Sequence, residues 1–332
     1  MKSLVLFNNK GGVGKTTLTF NIGHMAARLG VRTVLVDYDP QCNLTAIMLH
    51  EDALMERWES SKAPGRTVAS CIDWVRRGRG DLYEPELEGV ADDLWLLPGD
   101  LALSRFEQVL AEGWGQLHGV DNERALYTTT ALARLAAAAA AQVDADLVML
   151  DVGSSLGAMS RAVLLACDAV IVPLAPDLFN LQGLENVGPT LRQWGQDWSR
   201  VAKRSGELEL PRHEAKPLGY IVQQHLARSG RLAGGYRHWA AQIPSAFHQH
   251  VLADGGAQDL TTDDDPLCIA HLRHLASLVP LAEAARKPLF DLKRVDGVGG
   301  GLIQTVAKAR AEFEGLTREL LARMEVDVPP GR

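Results

Sequence analysis

Residues 8–17, NNKGGVGKTT, set three glycines, Gly11, Gly12 and Gly14, just ahead of Lys15, Thr16 and Thr17. Glycines at that spacing let successive backbone N–H groups turn toward one anion, and a following helix adds the positive end of its dipole. The run Gly11, Gly12, Val13, Gly14, Lys15, Thr16 and Thr17 is therefore a candidate cradle for the phosphates of ATP. Lys15 would reach the β- and γ-phosphates, and the Thr16 hydroxyl would hold Mg²⁺. The usual spacing, G-x-x-x-x-G-K-[ST], places a glycine where this sequence has Asn9, and a second lysine, Lys10, precedes the glycines.

Two further stretches carry acids. VLVDYDPQCNLT (34–45) runs from valines into Asp37 and Asp39, and LVMLDVGSSLG (147–157) closes four apolar residues on Asp151. Acids at the carboxyl ends of parallel strands arrive where an α/β sheet binds its ligand. Asp151 has the place of a Walker B acid, a Mg²⁺ ligand. Asp39, further out on its loop, is the better candidate on the water side of the phosphates and beside the metal, so the metal set is Thr16, Asp39 and Asp151. A helix cap or a solvated loop acid is the competing reading of the Asp37/Asp39 pair.

These residues need a frame. Short apolar runs at 3–8, 32–37, 93–98, 145–151, 168–174 and 217–224 read as buried strands, with 276–282 (ASLVPLA) as a further one. Helical patterns alternate with them, including the alanine-rich 131–143. Continuous apolar strands between helices imply an α/β fold of the P-loop NTPase type, a mostly parallel, doubly wound sheet covered on both faces. Residues 199–217 and the acidic 253–266 read as irregular, the latter as a mobile loop. Leu302, Val306, Ala309, Phe313, Leu316 and Leu320 form the apolar stripe of a C-terminal amphipathic helix. The expected division is an ATPase domain over 1–296 and a helical extension over 297–332, packed on that domain or on a partner.

The chain has 332 residues, 46% of them hydrophobic, and a net charge of −7. That charge argues against a surface built wholly for nucleic acid and leaves room for a local basic patch. Four scattered cysteines offer neither zinc nor cluster spacing, nor a disulfide framework. No apolar run reaches the roughly 18 residues of a membrane span, so the expectation is a cytoplasmic protein.

With these motifs in order, the chain resembles the ParA/MinD family of deviant-Walker ATPases. The resemblance rests on KGGVGKTT (10–17), DYDPQCNLT (37–45), the DVGSSLG strand end and APDLFNLQGLENV (175–187). DPQ followed by NLT points to the ParA branch. What the resemblance implies is an ATP-dependent homodimer that sandwiches two nucleotides, with Lys10 of each chain crossing to the other's phosphates. It further implies Lys15 and Thr16 as phosphate and Mg²⁺ ligands, and Asp39 in support of hydrolysis. The physics fits, since a cation supplied in trans neutralises charge developing on the transferring phosphoryl group. Two departures stand out: Gly153, Ser154 and Ser155 follow Val152 where the family often has prolines, and Cys42 replaces the usual glycine.

The family's ParA members bind DNA without sequence preference, together with a ParB-like or other activating protein. Residues 203–238 hold seven Lys/Arg against three Glu, net +4, leaving −11 on the rest. Such an island suits a localised phosphate-binding face, with Arg228, Arg231 and Arg237 as contacts and Arg273 as a weaker one. A solvated helix face accounts for the same charges. If DNA binding holds, the protein would be nucleoid-associated. Residues 300–332 carry five basic and five acidic side chains, a poor match to anionic lipid, so no membrane partner is expected. A positioning or regulatory ATPase with a protein partner is the alternative.

Overall fold

The computed structural model describes all residues except 60–62, 118–122, 204–214, 225–233, 256–258, 274, 276, 331 and 332. Its strands are β1 (Lys2–Leu6), β2 (Thr33–Asp37), β3 (Glu88–Ala91), β4 (Leu94–Leu97), β5 (Leu147–Asp151), β6 (Ala169–Leu174), β7 (Lys216–Gln224) and β8 (Cys268–Arg273). They form one sheet in the order β3-β4-β2-β5-β1-β6-β7-β8. Every neighbouring pair is parallel except β3–β4. The helices that frame the site and the cores are α1 (Lys15–Arg28), α2 (Asn43–Met48), α3 (Ser104–Gln116), α4 (Ala131–Gln142), α5 (Ala158–Ala166), α6 (Leu178–Ala202), α7 (Gly234–Ala240), α8 (Val279–Ala285) and α9 (Leu302–Arg323), with further helices, Glu51–Glu59 and Glu123–Thr129 among them, and short turns between.

Strand periodicity explains how core residues divide between the two faces of the sheet. Successive side chains of a strand point to opposite faces. Val5, Phe7, Val34, Val36, Val148 and Leu150 thus pack on one face with helices α3, α4 and α5. Leu4, Leu6, Leu35 and Met149 pack on the other with α1 and α9. On α9, Ala309, Phe313, Leu316 and Leu320 are buried, and the Phe313 ring lies 5.8 Å from that of Phe290. At the other end of α9, Arg323 donates to the Leu218 and Pro266 carbonyls. Among the described residues no helix is long and apolar enough to cross a membrane.

Four places differ from the sequence reading. Among the described residues of 276–282 there is no strand: Val279–Ala285 is helical, with Pro280 in the first turn, where its missing N–H removes no helical bond. β3 is a four-residue edge strand with only half its side chains sheltered, too short to show a pattern. β8 carries His271 and Arg273 among partly buried residues, so it lacks the continuous apolar run of a central strand. Helix α6 also continues to Ala202, into the stretch read as irregular.

Candidate nucleotide site

β1 lies between β5 and β6, so the loop leaving its carboxyl end is flanked by the ends of both neighbours. Gly12 and Gly14 have φ of +76° and +70°, a left-handed conformation that glycine adopts without a Cβ penalty. Gly14 then starts α1. The loop faces an open cleft of about 580 Å³ whose lining includes Gly11, Lys15, Thr16, Asp39, Gln41 and Ser154. Gly12, Gly14 and Thr17 line it as well, while Val13 is buried beneath and its carbonyl accepts from Gln223 Nε2 at 2.6 Å.

Lys15 is buried, and its ammonium donates to Ser154 Oγ at 2.7 Å and to the Asn8 carbonyl at 3.2 Å. Burial lowers its pKa below the ordinary lysine value, and the carboxylates of Asp151 and Asp39 oppose that shift. The Thr16 hydroxyl donates to Asp151 Oδ2 at 2.9 Å. The other oxygen, Asp151 Oδ1, is buried and has no hydrogen-bond partner among the described residues. Burial, and then the neighbouring Asp37, pushes the Asp151 carboxyl well above the usual carboxylate range.

Asp37 and Asp39 separate in role. Asp37 pairs in register with Asp151 and is fully buried. Its Oδ2 accepts from the Thr45 N–H at 2.9 Å and the Thr45 hydroxyl at 2.6 Å, and its Oδ1 accepts from the Asp39 N–H at 3.1 Å. Burial carries its pKa to about 6 against those bonds. Its oxygens are thus committed to holding the turn into α2. Asp39, by contrast, faces the cleft, with Oδ1 accepting from the Gln41 N–H at 2.9 Å.

Lys10 does not line this cleft. Its ammonium donates to Asp177 Oδ2 at 2.7 Å and lies 5.6 Å from the centre of the exposed Phe179 ring. Asp177 caps α6 by accepting from the Asn180 N–H at 2.9 Å. Of the basic candidates, Arg237 is exposed on α7, and Arg273 ends β8 in an ion pair with Glu312 at 3.1 Å. Arg228 and Arg231 lie outside the described residues.

Sequence reasoning missed three features. Ser154, noticed only as part of a departure from the family pattern, is the hydroxyl that accepts a hydrogen bond from the Lys15 ammonium. Glu107 of α3 accepts from the Ala158 and Met159 N–H groups at 2.6 and 2.9 Å, capping α5 just beyond that serine's loop. A second, more apolar cleft of about 320 Å³ opens on the other side of the glycine loop, between Gly12, Gly14, Gln223, Leu275, Val279 and Pro280. Its residues come from five separate stretches of the chain, so no local pattern announces it.

Could these residues hold Mg²⁺? Among the described residues no group of three His, Cys, Asp or Glu side chains is arranged to hold a metal alone. Mg²⁺ does not need one, because it is commonly bound through one or two protein oxygens together with phosphates and water. The orphaned Asp151 Oδ1 beside the Thr16 hydroxyl fits that requirement, and a cation there would relieve the cost of ionising the buried acid.

Residues 1–200 match the family AAA_31, described as an AAA domain. The chain belongs to this family, within the ParA/MinD group of P-loop ATPases. The chromosome-partitioning ATPase Soj of Treponema pallidum is 28% identical over 192 residues, which is 58% of this chain and 64% of that protein. The chain thus aligns with less than two thirds of that relative's length. Among solved structures, protein DIP2308 of Corynebacterium diphtheriae is similar with a TM-score of 0.69 and 25% identity, covering 86% of this chain and 97% of that one. An McdA–ATP complex from Cyanothece gives a TM-score of 0.63 at 16% identity, over 96% of both chains, a likeness of fold.

Proposed function

We propose that this protein is a Mg²⁺-dependent ATPase of the partition type, working as a homodimer that closes over two ATP molecules. The observation that carries it is the pairing of Thr16 with Asp151 at the start of α1, beside a buried Lys15 whose hydroxyl and carbonyl partners a phosphate can replace. The phosphates would lie against Gly11–Thr17, with Thr16 and Asp151 on Mg²⁺ and Asp39 on the side of the attacking water. The apolar cleft at Gln223, Val279 and Pro280 would take the base, since such sites combine apolar walls with a few polar groups. Mg²⁺ would supply charge neutralisation to the phosphates. The residues of the chain bind and orient: Lys15 by a charge-assisted bond, Asp39 by holding a water, and Lys10 from the partner copy by neutralising developing charge. The name of the Soj relative supports this reading.

Non-specific duplex DNA, bound through the basic island that includes Arg228, Arg231 and Arg237, is the proposed substrate surface, with a ParB-like or other activating protein as the regulator. Fluorescence titration of a labelled duplex at low salt, with and without Mg²⁺-ATP, tests this. Binding should require ATP, because two weak patches held together gain by avidity. It should ignore sequence and weaken steeply with salt, by about 0.9 in log–log slope per phosphate neutralised. Absence of ATP-dependent DNA binding would replace the DNA reading with a protein-partner one and leave the ATPase reading standing.

A further inference from the structure

The lysine expected to act on a partner's nucleotide is occupied within its own chain. The Lys10 ammonium meets Asp177 Oδ2 at 2.7 Å and stands over the Phe179 ring. Both charged side chains keep 35% of their surface exposed, so the pair is neither locked in the core nor left to solvent. The frame around it is held by hydrogen bonds. Asn8 Oδ1 accepts from the Lys10 N–H at 2.9 Å, while Asn8 Nδ2 donates to Asn180 Oδ1 at 2.9 Å and to the Pro173 carbonyl at 2.8 Å. Asn180 in turn donates to Asp177 from both its backbone and its side-chain amide, each at 2.9 Å. The carboxylate therefore keeps two partners when the lysine leaves. Only the lysine side chain has to move.

We propose that Asp177 is an intramolecular latch that competes with the partner's nucleotide for Lys10 and so sets the ATP-dependent dimerisation threshold. This rests on the reading of Lys10 as a residue acting in trans. Dimer closure must break the Lys10–Asp177 pair twice, once in each chain, because a two-fold interface repeats every contact. Burial alone would push the Asp177 carboxyl up, but the bonds from Lys10 and Asn180 outweigh it and hold the group below its ordinary range. The carboxylate is thus charged at neutral pH, where the latch is set. The device disfavours association of single chains whose nucleotide is missing, since no phosphate is then present to compete for the ammonium.

The test measures the dissociation constant of the dimer of the full chain by sedimentation, with Mg²⁺ and a slowly hydrolysed ATP analogue. Asp177→Asn and Asp177→Ser both keep a side-chain acceptor suited to a helix N-cap and remove the ion pair, and thermal melting checks that each folds. An ion pair of this exposure is worth roughly a two- to fivefold change per site, so opening two latches should tighten the dimer by about 4- to 25-fold. Nucleotide affinity of the single chain should stay within about twofold, as Asp177 does not line the cleft. Glu185→Gln removes an exposed charge from the same helix without touching Lys10 and should leave the dimer unchanged. Equal tightening by Glu185→Gln would show a general charge effect and overturn the latch. So would folded Asp177 variants whose dimer is unchanged or weaker while Lys10→Ala abolishes it. A Lys10→Ala protein that dimerises as the wild type does would remove the trans reading itself, and the latch with it.

Discussion

Gly14→Ala examines the shape of the phosphate loop at its tightest point. Gly14 has φ +70° and ψ 23°, and an L-residue in that left-handed region costs about 1–2 kcal/mol. The added Cβ would also stand 2.7 Å from Gln223 Nε2, too close for any packed pair. Gln223 must then swing away, and its 2.6 Å bond to the Val13 carbonyl goes with it. That loss adds about 0.5–1.5 kcal/mol. The expected destabilisation is about 1.5–3.5 kcal/mol, a fall of roughly 2–5 °C in melting temperature for a chain of this size. Differential scanning calorimetry measures it, and the Gln223→Ala background separates the two parts. There the collision is gone and the bond already absent, so Gly14→Ala should cost only the backbone part, about 1–2 kcal/mol. An unchanged melting temperature in the wild-type background, or an equal loss in both, would refute the described contact between β7 and the loop. ATP affinity should fall in both backgrounds, because the amides of the loop are displaced from their anion-facing path.

Other outcomes follow from the same geometry. Lys15→Ala should weaken ATP binding by roughly 10- to 150-fold, the value of one charge-assisted bond; isothermal titration with an affinity close to wild type would remove Lys15 from the phosphates. Asp39→Ala should leave ATP affinity within about twofold and slow steady-state phosphate release by roughly 100-fold or more; release at the wild-type rate would make Asp39 structural. His24, stacked edge-on against Phe20 at 4.6 Å, has its pKa lowered to about 4, by burial first and also by Arg28, with Asp291 opposing. A depressed histidine binds fewer protons folded than unfolded, so its contribution is intact above about pH 6.5 and drains away as pH falls toward about 4. Between pH 7.5 and 5 the loss is at most about 2 kcal/mol, and denaturant melts of His24→Leu should lack that part of the pH dependence.

Much of the fold and the centre of the site were legible in the sequence because they are local. The glycine spacing before Lys15 and Thr16, the valine run ending at Asp37 and the apolar run ending at Asp151 each declare strand, turn and chemistry within about a dozen residues. The rule that ligands gather at the carboxyl ends of parallel strands then brings those pieces together without coordinates. What escaped was non-local or half-exposed. β8 and the edge strand β3 carry too little continuous apolar character to stand out, and Pro280 and its neighbours read as a strand because a short apolar run does not fix its own period. Asp37 and Asp39 look equivalent in sequence, and only packing tells them apart: one is spent on Thr45, the other left facing the cleft. Likewise the sequence supplies Lys10 and Asp177 but not their meeting. That depends on β6 lying beside β1 in the sheet, a neighbour relation fixed by how the strands pack into the cores on both faces rather than by either residue's own surroundings in the chain.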